Sequence, residues 1–279
     1  MPDWLATLVS WYSDPLFLLF PVAALALGMG TFVLVGGAWT LLAWWDPEWA
    51  RPYRIQPRPF NIRRQLRETL SRMGFNTAVL TLLLVLTWPL LRLSGIHAGA
   101  VPPWYVFVGQ LIFFVLLDDF LYYWMHRWMH ENKWLLRHVH AVHHQIRQPY
   151  GLAGNHFHWL EFVMTVGLAM VGPILVGAHV YVVWAWFILR QWEAVDGHTG
   201  YNLPWDPFHW LPLYEGAGYH DFHHARFKGN FAGFLPLWDR VFGTYVPDYL
   251  KWRQEQGHRP GLVPGPESRS VVGRRTSDV

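Results

Sequence analysis

Polar and apolar positions in this chain are sorted into blocks rather than interleaved. Residues 16–45 (LFLLFPVAALALGMGTFVLVGGAWTLLAWW), 75–94 (FNTAVLTLLLVLTWPLLRLS) and 104–125 (WYVFVGQLIFFVLLDDFLYYWM) are apolar over nearly their whole length. A helix rising about 1.5 Å per residue lets each of them cross the roughly 30 Å hydrocarbon core of a bilayer. A fourth apolar region, 160–189, is interrupted by Gly172, Pro173 and Gly177. It is too short for two full crossings and predicts a hairpin that enters and leaves on one side. The pattern therefore predicts an all-α membrane protein with about three transmembrane helices, an apolar hairpin and a polar helical cap. Residues 1–255 are expected to form this single domain. The stretch 256–279, rich in Gly, Pro, Ser and Arg, has little to bury and is expected to be disordered.

Charge orients the helices. The 46–73 loop carries Arg51, Arg54, Arg58, Arg63, Arg64, Arg67 and Arg72, whereas the N-terminus and the 95–103 loop carry no arginine. Positive residues flanking spans mark the cytoplasmic side, so the N-terminus is expected outside and the residues after 125 inside, where Arg127, Lys133, Arg137 and Arg147 agree. The N-terminal MPDWLATLVSWYSDP has neither a basic region nor a small-residue cleavage site, so no removable signal peptide is expected. Composition supports the membrane reading, with 52% hydrophobic and only 15% charged residues. Because the basic residues gather beside apolar runs, they suit topology better than nucleic-acid binding. With no cysteine, disulfides, iron–sulfur clusters and thiolate catalysis are excluded, and any metal must be held by nitrogen or oxygen.

The candidate chemistry is histidine. HRWMH places His126 and His130 at i and i+4 on the continuation of the third span, one turn apart on one face. HAVHH (His140, His143, His144) and HDFHH (His220, His223, His224) each place imidazoles at i, i+3 and i+4. Eight imidazoles exceed the roughly four ligands of one tetrahedral metal, which leaves two metals or one redundant site. Imidazole suits Zn, Cu, Fe or Ni alike. The HExxH pattern of zinc proteases is absent. His97, His179, His209 and His258 fall away from these clusters and are assigned no role.

These motifs, in this order, resemble the membrane fatty acid hydroxylase and sterol desaturase superfamily. The segments HRWMH, HVHAVHHQIRQPYG, VVWAWFILRQWEAVDGHTGYNLP and GYHDFHHARFKGNFAGFLPLWDRVFGT are most similar to its 4-methyl sterol oxidase branch, over about residues 115–245. The resemblance implies two non-haem irons facing the cytoplasm. They would use O2 and two electrons to hydroxylate an unactivated C–H bond of a lipid such as a sterol, with acyl, polar-lipid or carotenoid substrates as alternatives. It adds His198 as a further ligand, His158 as a possible one, and Asn202 as a residue placed where relatives bring another histidine or a water-binding asparagine. The bias toward arginine over lysine favours the expectation of a bacterial inner membrane over an endoplasmic reticulum.

An imidazole ligand needs an acceptor at its second nitrogen. Asp119, Tyr123, His126 and His130 fall at i, i+4, i+7 and i+11, one stripe of the third helix. A carboxylate so deep in an apolar helix costs roughly 2.5–3.5 kcal/mol on insertion scales and should have a partner. Asp119 is thus the candidate acceptor and, with Tyr123 and Asn202, a candidate catalytic residue. Glu193, Asp196 and Asp221 are similar candidates, whereas Asp118 reads as a helix-end acid reaching water. The lipid is expected to enter laterally from the bilayer. No dinucleotide-binding GxGxxG and no CxxCH is found, so electrons are expected from a separate reductase or carrier protein.

Overall fold

The computed structural model of the chain describes residues 2–56, 59–206, 213–248, 251–252 and 255, and among them every regular element is a helix. The expected disorder of 256–279, together with His209 and His258, lies outside the described residues. Helix α1 (Asp3–Tyr12) is followed by α2 (Pro15–Trp45), the first of three helices long and apolar enough to span a membrane. Asp14 caps α2, its carboxylate accepting from Leu16 N at 2.9 Å, and Pro15 needs no donor in the first turn. Pro21 cannot donate within the helix, and the turn Leu18–Val22 widens to the π form to accommodate it.

The second span, α3 (Ile62–Leu91), starts well before the apolar run at residue 75. What the polar pattern presented as loop is a solvated first third of this helix. Ile62, Thr69, Asn76 and Leu80 bury one face, while Arg63, Arg64 and Arg67 point outward. The third span, α4 (Trp104–Glu131), carries His126 and His130 on its last turns as expected. Asn132 then breaks away in an extended conformation and caps α5 (Lys133–His138) through Trp134 N and Leu135 N. Single 3-10 turns follow at His140–Gln145 and Gly151–Asn155.

The apolar hairpin forms from α6 (Trp159–Leu175) and α7 (Val180–Asp196). Gly177, at φ +55°, makes the reversal. The hairpin runs deeper than expected. At its tip Ala178 O accepts from His97 N and Val180 N donates to His97 O, so it meets the α3–α4 connection at the end of the bundle away from the other histidines. Seventeen residues of helix rise about 25 Å, which suffices for that depth. Phe20 and Ala24 of α2, Trp88 of α3, Phe114 of α4 and Val183, Trp186 and Phe187 of α7 pack into one core. On the opposite faces Leu34, Leu86, Leu90 and Ile112 are exposed, an apolar girdle fit for lipid.

The cap closes the other end with the two 3-10 turns, α8 (Ala217–Arg226) and α9 (Leu237–Val241). Its seat on α2 is tight. A Cβ on Gly151 would lie 2.3 Å from Gly36 O, and Thr40 Oγ1 accepts from Leu152 N at 2.9 Å.

Candidate metal centre

Nine histidines from four segments converge in the cap. The Nε2 atoms of His126 and His130 (α4), His140 and His144 (first 3-10 turn) and His223 (α8) form one group. Its contacts include His126–His140 at 3.1 Å, His130–His140 and His140–His144 at 2.9 Å, and His144–His223 at 3.2 Å. His143, His198, His220 and His224 form a second group, with Nε2 contacts of 3.3 Å (143–198), 3.1 Å (198–220) and 3.2 Å (220–224). Within each group the ligand atoms all lie within 4.8 Å of one another. Each HxxHH triplet therefore serves both groups. On α8, residues i and i+4 diverge by about 40° around the axis, whereas i+3 lies about 100° from i+4. His220 and His224 aim at one point and His223 at another.

For four of the rings a backbone carbonyl settles which nitrogen holds the proton. Nδ1 of His126 donates to Phe231 O at 2.7 Å, and His198, His223 and His224 donate to Ala194 O, Gly229 O and Ile146 O. His140 Nδ1 donates to Glu161 Oε1 at 2.7 Å, both groups fully buried. In such rings Nε2 is a bare lone pair. Two lone pairs 3.1 Å apart, as at His126 and His140, repel one another unless they share a cation. Burial pushes the imidazoles of His140, His143, His144, His220 and His224 well below their usual range, and those of His198 and His223 down to about 4. At neutral pH these rings are neutral and free to ligate. The donor set of five and four imidazoles fits two divalent transition metals.

The other candidates fall outside these groups. Asp119 accepts from the backbone of Gly233, Phe234 and Leu235 at 3.1, 2.8 and 3.1 Å rather than from a histidine. The predicted stripe does face inward, but its upper half meets the 229–244 segment, which comes back from far along the chain. Asp119 thus acts at one remove, holding the loop whose Phe231 carbonyl orients His126. Tyr123 stacks on Phe242 and bonds Thr244 Oγ1 at 2.9 Å. Asn202 is half-buried, its backbone N–H donating to Tyr53 O, and belongs to neither group. His158 is the N-cap of α6, its Nδ1 accepting from Leu160 N. Asp118 does not reach water, being buried and paired with Arg190 at 2.8 Å. Glu193 also binds Arg190, at 2.6 Å, Asp196 accepts from Tyr214 OH, and Asp221 accepts from Gln56 Nε2 at 2.7 Å, so none of the three orients a histidine ring in these contacts.

Two residues at the site carried no signal in the sequence beyond their charge. Glu161 orients His140 from within an apolar run. Asp239 accepts from Phe231 N and Ala232 N at 2.8 Å each and from Tyr219 OH at 2.6 Å, clamping the loop that holds His126 and His223.

A cavity opens beside the second group, lined by His198, His220, Tyr122, Phe157, Phe162 and Arg190 among others. It shares Phe162, Val166, Phe187 and Gln191 with a second cavity, whose other walls include Phe20, Ala24, Leu25, Met29, Leu80 and Leu84. Together they make a largely apolar slot running from the spanning helices to the histidines.

Comparison with known proteins agrees with this architecture. The family model for fatty acid hydroxylases matches residues 111–244. Very-long-chain aldehyde decarbonylase GL1-11 of Oryza sativa subsp. indica is 37% identical over 196 residues, covering 69% of this chain and 73% of the relative. Methylsterol monooxygenase 2-2 of Arabidopsis thaliana is 34% identical over the same length with the same coverage, and methylsterol monooxygenase 1-3 of that plant is 31% identical over 245 residues, 84% of this chain and 78% of the relative. No solved structure matches the chain. With the histidine-rich cap, the three spans and the apolar slot, these similarities place the chain in the fatty acid hydroxylase family, as a membrane oxidoreductase of the monooxygenase type.

Proposed function

We propose that the protein is a di-iron, O2-dependent monooxygenase that hydroxylates an unactivated C–H bond of a membrane lipid, with a sterol or sterol-like lipid as substrate. The observation that carries the reading is the convergence of nine neutral imidazoles beside a largely apolar slot. His126, His130, His140, His144 and His223 would hold one iron, and His143, His198, His220 and His224 the other. When bound, the irons supply the oxidising power, drawn from dioxygen and two electrons of a separate donor protein. The chain contributes the rest. Its carbonyls and Glu161 fix the tautomers of His126, His140, His198, His223 and His224, its cap excludes water, and the walls of Phe157, Phe162, Val166 and Phe187 present lipid carbon toward His198 and His220. The arginine-flanked end of the bundle fits a cytoplasmic face, and the preference for arginine over lysine supports a bacterial inner membrane.

The test joins metal analysis to turnover. Purified protein should hold close to two irons per chain and convert lipid only with oxygen and reductant. A single zinc, or activity that persists without oxygen, would leave a structural site or a lipid hydrolase instead. The name of the rice relative favours a second reading, in which a long-chain aldehyde occupies the slot. Product analysis separates the two, because hydroxylation keeps every carbon whereas decarbonylation shortens the chain.

A further inference from the structure

Gln191 stands where the two cavities meet and lines both. Its Oε1 is sealed from solvent and has no hydrogen-bond partner. Buried polar atoms are nearly always paired, because an orphan costs the full desolvation of the group. Asn155 Nδ2 in the same cavity is likewise unpaired and makes no bond to Gln191, and two neighbouring polar groups are already committed. Arg190 is held by Asp118 and Glu193, and Thr165 Oγ1 donates to Glu161 O at 2.9 Å. The other walls shared at the junction, Phe162, Val166 and Phe187, have no side-chain donor to offer. Only an occupant of the slot can satisfy this amide.

The stripe to which Gln191 belongs says where that occupant lies. Phe187, Gln191, Ala194 and His198 follow at i, i+4, i+7 and i+11, and all four line the cavity beside the second histidine group. Gln191 and His198 stand about 10 Å apart along the axis, before the reach of their two side chains toward each other is counted. A ligand group bonded to Gln191 is therefore only a few carbons from whatever faces His198 and His220.

We propose that Gln191 is a specificity-determining residue that reads a hydroxyl group, which makes the substrate class a lipid alcohol oxidised within a few carbons of that hydroxyl. A hydroxyl donates to Oε1. An ether, ester or ketone oxygen can only accept, and a plain hydrocarbon chain does neither, so all of these leave the amide oxygen unpaired. The inference rests on the slot being the substrate site of the proposed hydroxylase.

The test is equilibrium binding to the full-length, iron-loaded protein in lipid nanodiscs. The probes are cholesterol and its methyl ether, with hexadecanol and its methyl ether as the unbranched pair. Wild type should bind the free alcohol of at least one pair roughly 10- to 100-fold more tightly than the ether. Gln191→Met keeps the side-chain length and discards the amide, and its iron content reports an intact cap. It should bind both members of the pair with the wild-type ether affinity. Equal affinities in wild type, or a preference that survives in Gln191→Met, overturn the assignment while leaving the slot as a lipid site. Failure of wild type to bind any of the four probes overturns the slot reading and this inference with it.

Discussion

The two histidine groups draw on the same segments but differ in their surroundings. The five-histidine group is enclosed on the side of the slot, with a carboxylate behind His140 and the clamped 229–235 loop behind His126 and His223, although its His130 is the one ligand of the nine that is partly exposed. The four-histidine group has no carboxylate bonded to its rings among the described contacts, and two of its members, His198 and His220, border the slot. One group is built for rigid holding and the other for meeting a substrate. In α8 the division of labour follows from helix geometry, since i+3 departs from the direction shared by i and i+4; in the 3-10 turn, where i and i+3 eclipse, the split of His143 from His140 and His144 is not a matter of period alone.

The sharpest way to break this comparison is to remove one ligand from each group. His126→Ala and His198→Ala should both reduce turnover to background, and each should lower iron from about two per chain to about one. If His126→Ala strips both metals, the groups are one coupled cluster and the contrast falls. The next largest effect concerns the loop that backs the enclosed group. Asp119→Ala leaves three backbone amides without their acceptor and should cost about 3 kcal/mol of stability. A fall in thermal midpoint accompanied by loss of the first metal before the second supports the asymmetry, whereas equal loss of both metals argues against it.

That role for Asp119 marks the limit of what the chain's pattern discloses. Periodicity placed Asp119 on the inward stripe with His126, which is a local property of α4. Its partners are more than a hundred residues away, and no spacing rule reaches them. The arginine-rich start of α3 was hidden for another reason. Hydropathy detects apolar length, and a helix with one buried face and one solvated face does not stand out. Of the three expected interruptions, Gly172 and Pro173 are accommodated within α6, and Gly177 makes the reversal. The histidine spacings were legible because ligands on one helix face obey a fixed period. Their allocation to two groups was not, since it depends on how α4, α8 and the 3-10 turn face one another.

A smaller effect should separate the carboxylate partner of the enclosed group from an acid that merely lies nearby. Glu161→Gln weakens the acceptor that orients His140 and should lower iron affinity or turnover by about 10- to 100-fold. Asp221→Asn, between the two ligands His220 and His223 but bonded to Gln56, should change neither by more than a few-fold, because no ring depends on it. Iron titration of the two variants side by side decides the matter, and similar losses would mean that charge near the site, rather than orientation of one ring, is what counts.

The mildest prediction addresses the open side of the second group. Gly28 of α2 lines the outer cavity, and a Cβ there would sit 3.6 Å from Gln191 Cγ and 3.7 Å from Phe187 Cβ, ordinary contact distances. Alanine is therefore accommodated, and replacing a mid-helix glycine improves helix propensity by roughly 1 kcal/mol. Leucine adds three further carbons beyond Cβ, and they have only the slot to enter. Gly28→Leu should raise KM for the lipid about tenfold, the equivalent of 1.4 kcal/mol, while kcat and iron content stay at the wild-type level. An unchanged KM would mean that lipid does not pass between α2 and α7 to reach His198 and His220. The second group would then be as enclosed as the first.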